Sequence, residues 1–167
     1  AEYLANIENL DSAAGRIIQY LEINQYLDNT VVLFTSDNGS YRQASNGDLR
    51  AKKSYLYEGG IRVPGILHWP EMIKQGGIIN QPAGFVDIMP TLCDILEINP
   101  LEDRVVDGTS ILSLLEGEDF KRDKPLFWFF YRTSPEIALR IDNMMVMGKD
   151  MDSVQRTHRF SEPDMAY

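Results

Sequence analysis

A single cysteine, Cys93, stands among 167 residues, and that scarcity excludes an internal disulfide and any cysteine-based zinc cluster. Its neighbours, PTLCDIL, make it a core residue instead. Long apolar runs are missing too: nothing approaches the roughly 18 residues of a membrane span. The start AEYLANIENL lacks the basic and apolar regions of a signal peptide, so the termini do not reveal a compartment. Positive charge is short, with 16 Lys+Arg against 25 Asp+Glu and a formal charge of −9. That balance argues against a nucleic-acid surface and leaves no polybasic membrane patch, so any bound anion needs a local basic site. Internal repeats and low-complexity segments are absent. What remains reads as a soluble, globular chain, long enough to bury a sizeable core as one domain with part of a second.

The first 24 residues carry Leu4, Ile7, Ala14, Ile18 and Leu21 at steps of three, four and seven, which predicts an amphipathic helix over 2–24. TVVLFT is short, β-branched and apolar throughout, as expected of a strand buried on both faces of a parallel sheet. A helix followed by such a strand signals α/β architecture. Residues 40–57 are polar and irregular and read as a loop. IRVPGILHW is expected to be a second strand, with Pro64 opposing an uninterrupted ladder. EMIKQGGIINQP reads as a turn and a short extended piece. Asp87 is expected to cap a helix through DIMPTLCDILEI, Pro90 being tolerable in its first turn. DGTSILSLLEGE suggests a short helix, and KRDKPLFWFFY a strand after a charged, proline-marked break near 117–125, the expected domain boundary. EIALRIDNMMVMGK reads as short strands whose methionines pack a small sheet.

Three stretches invite chemistry. In NTVVLFTSDNGSY, the Asp37-Asn38-Gly39 sequence fits a tight turn, because these residue types tolerate positive φ. It equally offers a carboxylate and an amide oxygen side by side, hard ligands for Ca²⁺ or Mg²⁺. Lys52 and Lys53 read, from the residues alone, as a solvated pair on a loop. His68, at a strand end, and His158, in a polar tail, read as packing or surface residues.

Taken in order, ENLDSAAGRI, LDNTVVLFTSDNG, LRAKKSYLYEGGIRVPGILHWP, FVDIMPTLCDIL and DGTSILSLLEG closely resemble the C-terminal half of the sulfatase family. The likeness covers roughly residues 3–132. It implies an α/β, alkaline-phosphatase-like fold: the C-terminal part of a mixed-sheet sandwich over 1–120, then the start of a smaller antiparallel β subdomain over 121–167. It also implies that Asp37 and Asn38 are ligands of an active-site divalent cation, usually Ca²⁺ with Mg²⁺ as the alternative. That position suits the rule that α/β sheets bind ligands beyond the carboxyl ends of their strands. The family's sulfate-binding lysine falls five residues before the Glu of the EGG motif, at Lys53. A unit charge about 4 Å away in an effective dielectric of about 20 is worth about 4 kcal/mol before desolvation. Lys52 stays solvated in this reading, and Glu58, Gly59, Gly60 and Arg62 support the site through close packing and an ion pair.

Sulfatases use a formylglycine made from Cys or Ser in a Cys/Ser-x-Pro-x-Arg motif, and this chain has none: Cys93 precedes Asp-Ile-Leu, and SEPDM ends in Met165. Also missing are the family's N-terminal Asp pair, its other sulfate-contacting lysine and the His before the first helix. The resemblance therefore implies a C-terminal piece of a sulfuric ester hydrolase, with its formylglycine elsewhere and a sulfate ester, a sulfated carbohydrate or aryl sulfate, as substrate. No nucleic acid or membrane span is expected, and a secreted, periplasmic or lysosomal location follows by family analogy. The rivals are a phosphonate or phosphate monoester hydrolase of the same superfamily and a non-catalytic structural or binding fragment.

Overall fold

The computed structural model describes residues 2–73, 76–99, 103–131 and 135–148, together with the backbone of 165–166. His158 and Met151 lie outside the described residues, as do 74–75 of the expected turn. The chain divides into two compact units, Ala1–Thr35 with Pro64–Gly77, and Ser36–Val63 with Ile78–Tyr167.

The first unit holds helix α1 (Glu2–Ile23) and two short strands, β1 (Val32–Thr35) and β2 (Gly65–His68). The helix closes on a left-handed Gln25, φ 59°, with Tyr26 N–H donating to Leu21 O and Gln25 N–H to Glu22 O at 2.8 and 3.0 Å. That pair of bonds satisfies carbonyls that the helix end would otherwise orphan. The apolar stripe is only half-buried at Ala14, Ile18 and Leu21, while Leu4 and Ile7 are exposed.

β1 departs from the expectation of a strand buried in a parallel sheet. It pairs antiparallel with β2, Val32 opposite His68 and Thr35 opposite Gly65, and Leu33 and Phe34 are exposed. An all-apolar run reports that both faces want cover; it carries no information about which strand lies alongside or in which direction. The IRVPGILHW strand is likewise shorter than expected. Ile61 closes a one-turn helix, α2 (Glu58–Ile61), and the strand starts only after Pro64, which has no N–H to give a ladder. His68 sits exposed at the strand end.

In the second unit, helices α3 (Ile88–Ile95) and α4 (Leu112–Glu116) precede a four-stranded antiparallel sheet of β3 (Leu126–Phe130), β4 (Glu136–Ile141), β5 (Met144–Gly148) and β6 (Met165–Ala166) in sequential order. Both helices end as α1 does, on left-handed Glu97 and Gly117. A two-residue turn with Asp142 at φ 49° joins β4 to β5, a conformation Asp adopts more readily than most residues. Met145 and Met147 of β5 are buried with Ala138 of β4 and Leu56, and Tyr57, Ile61, Trp128 and Phe130 pack around them. The small sheet is thus built onto the 56–61 segment that contains the EGG motif.

Asp87 departs from its expected role. It ends a 3₁₀ turn at Phe85–Asp87 and its side chain makes no cap bond to α3. The buried carboxylate instead accepts from Gly84 N–H at 2.7 Å, Thr109 N–H at 2.9 Å and both terminal nitrogens of Arg122 at 2.9 and 2.5 Å. Arg122 also donates to Pro82 O. Thr91 extends this node, its hydroxyl donating to Asp87 O and accepting from Ile111 N–H. The charged break near 117–125 therefore contains an arginine 6 % exposed. A buried charge is tolerated because it is paired and its partner's remaining lone pairs are used. Cys93 is buried, as expected.

Candidate active site

The Asp37-Asn38-Gly39 turn follows β1 by one residue and is shaped by its own side chains. Asp37 Oδ1 accepts from Asn38 N–H at 2.9 Å, and Ser36 Oγ donates to Asn38 O at 3.0 Å. Both turn-forming and ligand readings of this stretch therefore meet in one place. Asp37 is exposed and Asn38 half-buried. Asp37 Oδ2 and the Asn38 side-chain amide take no hydrogen bond from another described residue, so their oxygens are available to an external ligand.

Lys53 lies on the loop after this turn and is tied to it through the backbone: Lys53 N–H donates to Ser40 O at 3.0 Å. Its side chain is exposed and forms no hydrogen bond or ion pair with another described residue. Left-handed Ala51 (φ 66°) and Ser54 (φ 77°) flank it, conformations that cost non-glycine residues about 1 kcal/mol or more each. Lys52 is not fully solvated, contrary to expectation. It is half-buried, and its ammonium sits 4.6 Å from the Tyr41 ring centroid, where the ring quadrupole attracts a cation.

The EGG motif seats the two segments. Gly39 N–H donates to Gly60 O at 2.9 Å and Gly59 N–H to Arg50 O at 2.7 Å. The backbones touch so closely that a Cβ on Gly39 would lie 1.9 Å from Gly59 O, and one on Gly60 2.0 Å from Tyr55 O. Only glycine permits that approach. Arg50 stacks its guanidinium 3.8 Å from the Tyr57 ring centroid, fixing the start of the same loop. Glu58 pairs with Arg62 at 3.3 Å and, more tightly, with Arg140 of β4, so the small sheet anchors the motif electrostatically as well as by packing.

Three contributors escaped the sequence reading. Asn46 lies in the 40–57 stretch that reads only as a loop, yet its side chain bonds to both Ser40 and Ala51. Arg140 and Arg122 find their carboxylates 82 and 35 residues away, separations at which spacing carries no signal.

The family model for Sulfatase matches residues 1–98. The chain belongs to the sulfatase family. Human steryl-sulfatase is 36 % identical over 135 residues, 75 % of this chain and 23 % of the relative; human arylsulfatase D is 34 % identical over 166 residues, 93 % and 27 %. The crystal structure of Ps i-CgsB in complex with k-i-k-neocarrahexaose superposes at a TM-score of 0.74 with 28 % identity, covering 82 % of this chain and 31 % of that one. The fold is accordingly the α/β fold of the sulfatases. The chain spans about a quarter of the length of the curated relatives it matches. Within this sulfatase segment no helix among the described residues is long and apolar enough to cross a membrane. Nor do three acidic, His or Cys side chains among them converge on a metal. Asp37 and Asn38 nevertheless suit a hard cation, as adjoining oxygen donors with no cationic partner among the described residues, but they are two of the about six to eight oxygens that Ca²⁺ takes.

Proposed function

We propose that this chain forms one wall of the active site of a sulfatase that hydrolyses sulfate esters, with Asp37 and Asn38 as ligands of a divalent cation, Ca²⁺ in preference to Mg²⁺, and Lys53 as the sulfate-binding cation. The observation that carries the reading is the bond from Lys53 N–H to Ser40 O. It docks the lysine loop on the turn that holds both proposed ligand oxygens, while the lysine head has no hydrogen-bond or ion-pair partner among the described residues. The remaining metal ligands and the formylglycine nucleophile belong to residues outside this chain. A bound cation would supply Lewis-acid stabilisation of negative charge on the sulfate oxygens.

This chain's own residues then act in three ways. Asp37 and Asn38 hold the cation, Asp37 bringing the charge. Lys53 places a compact ammonium against the sulfate, stabilising oxygens whose charge grows as the ester bond breaks. The glycine contacts and the Glu58 ion pairs keep both groups in place without reorganisation during reaction. The antiparallel sheet within 121–167 serves in this reading as the start of a supporting subdomain to the part over 1–120. The proposal extends to sulfate esters as a class, aryl or carbohydrate.

Asp37→Ala in the full-length protein tests it. Calorimetric titration with Ca²⁺ should show weakened binding, and turnover of an aryl sulfate should nearly vanish. Unchanged binding and turnover would reduce the Asp-Asn-Gly stretch to a turn. Faster hydrolysis of an aryl phosphate than of the matched aryl sulfate by the parent protein would transfer the site to the phosphohydrolase branch.

A further inference from the structure

The sulfatase motifs leave one well-connected polar side chain without a role. Asn46 ends a 3₁₀ turn at Gln43–Asn46 and is half-buried. Its Oδ1 accepts from Ser40 N–H at 2.8 Å, and its Nδ2 donates to Ser40 O and to Ala51 O, each at 3.2 Å. The orientation of the amide is forced, because an N–H must face the oxygen and two carbonyls must face the nitrogen. Ser40 comes two residues after Asn38, and Ala51 two residues before Lys53. One side chain thus clasps the cation turn on one side and the lysine loop on the other. Ser40 O is shared, receiving Lys53 N–H as well. Ala51 is held left-handed, and the bond to its carbonyl offsets part of that strain.

We propose that Asn46 is a positioning residue that sets the spacing between the Asp37–Asn38 turn and Lys53; this rests on the sulfatase reading of those three residues. No other side chain of similar size does the same work. Aspartate keeps the acceptor for Ser40 N–H but turns a carboxylate on two carbonyl oxygens, alanine makes no bond, and glutamine is longer by one methylene. Asn46 acts on the reaction through Lys53 and the cation ligands and touches neither sulfate nor nucleophile.

The test uses the full-length protein with Asn46→Ala, Asn46→Asp, Lys53→Ala, Asp37→Ala and the double variant Asn46→Ala/Lys53→Ala. A displacement of about 1 Å at the lysine costs on the order of 10²-fold in rate, so Asn46→Ala should lower kcat/KM by about ten- to a hundredfold. The dissociation constant for Ca²⁺, measured by calorimetry well below the melting temperature, should rise several-fold. Asn46→Asp should be no better than Asn46→Ala. In the Lys53→Ala background, Asn46→Ala should cost much less than in the parent, because the group it positions is gone. Thr91→Val, which deletes the acceptor for Ile111 N–H, is the control for a general loss of stability and should leave the Ca²⁺ constant unchanged. Full additivity of Asn46→Ala with Lys53→Ala, or an Asn46→Ala protein that melts lower while keeping kcat/KM and Ca²⁺ affinity within twofold, overturns the proposal. If Asp37→Ala and Lys53→Ala are themselves harmless, the sulfatase reading of these residues falls and this inference with it. If they are damaging and Asn46→Ala is not, only the positioning role falls.

Discussion

Gly39→Ala would place a methyl carbon 1.9 Å from Gly59 O and 2.8 Å from the carbon that bears it, with Gly60 Cα at 3.2 Å. These are backbone atoms, so no rotamer change relieves the clash. Real Cβ contacts essentially never fall below 3.0 Å, and the turn and the EGG segment must therefore part by about 1.1 Å. The Gly39 N–H to Gly60 O bond, 2.9 Å in the native arrangement, does not survive that separation, a loss of about 1 kcal/mol. Overpacking adds about 1–3 kcal/mol, so the variant should lose about 2–4 kcal/mol of stability. The turn that moves carries Asp37 and Asn38, the proposed cation ligands, and a shift of about 1 Å in such groups costs on the order of 10²-fold in rate. The experiment is urea unfolding and kcat/KM on an aryl sulfate, both with the full-length protein. Gly15→Ala serves as the contrast: it lies in α1 with no atom within 4 Å of its added Cβ, and should be stabilising by up to about 1 kcal/mol. A Gly39→Ala protein that unfolds at the parental urea concentration and turns over within twofold of the parent would refute the close seating of the turn on the EGG motif.

Lys53→Ala should lower kcat/KM on the order of 10²-fold or more, the loss of a few kcal/mol of transition-state stabilisation, with its melting temperature nearly unchanged because the side chain is exposed. Lys52→Ala should be mild in the same assay, removing only a contact with Tyr41; if Lys52 proves the more damaging, the lysine assignment is off by one residue. Arg122→Ala should destabilise the protein by about 3–5 kcal/mol in urea unfolding, because it strands a buried carboxylate. The Gly84 and Thr109 N–H bonds left on Asp87 favour the lower end of that range. A loss below about 1 kcal/mol would mean that water reaches the node.

Local physics was legible in the chain. The period of Leu4, Ile7, Ala14, Ile18 and Leu21 marks α1 to within a residue or two, since a helix repeats every 3.6 residues wherever it lies. The five motifs in order identified the family, and with it the expected roles of Asp37, Asn38 and Lys53. The left-handed conformations that close α1 and α3, at Gln25 and Glu97, were hidden, because left-handed residues announce themselves only when they are Gly or Asn. The β4 segment shows where pattern alone misleads. Alternation would bury Ile137, Leu139 and Ile141 and expose Ala138 and Arg140; Ile137 is buried, but so is Ala138, Leu139 and Arg140 are alike half-buried, and Ile141 is exposed. The face that counts is chosen by what lies against it, here Leu56 and Tyr57 of the EGG segment, and nothing in a strand's own residues encodes that neighbour. The same holds for charge: Glu58 with Arg140 and Asp87 with Arg122 are decided by the path of the chain, because an ion pair depends on separation in space and is indifferent to separation in sequence. Residue identity thus determined which chemistry was on offer at Asp37, Asn38 and Lys53. Only the tertiary structure decided that Asn46 and three glycines would bring the Asp37–Asn38 turn and the lysine loop together, because close backbone approach is a property of two segments at once.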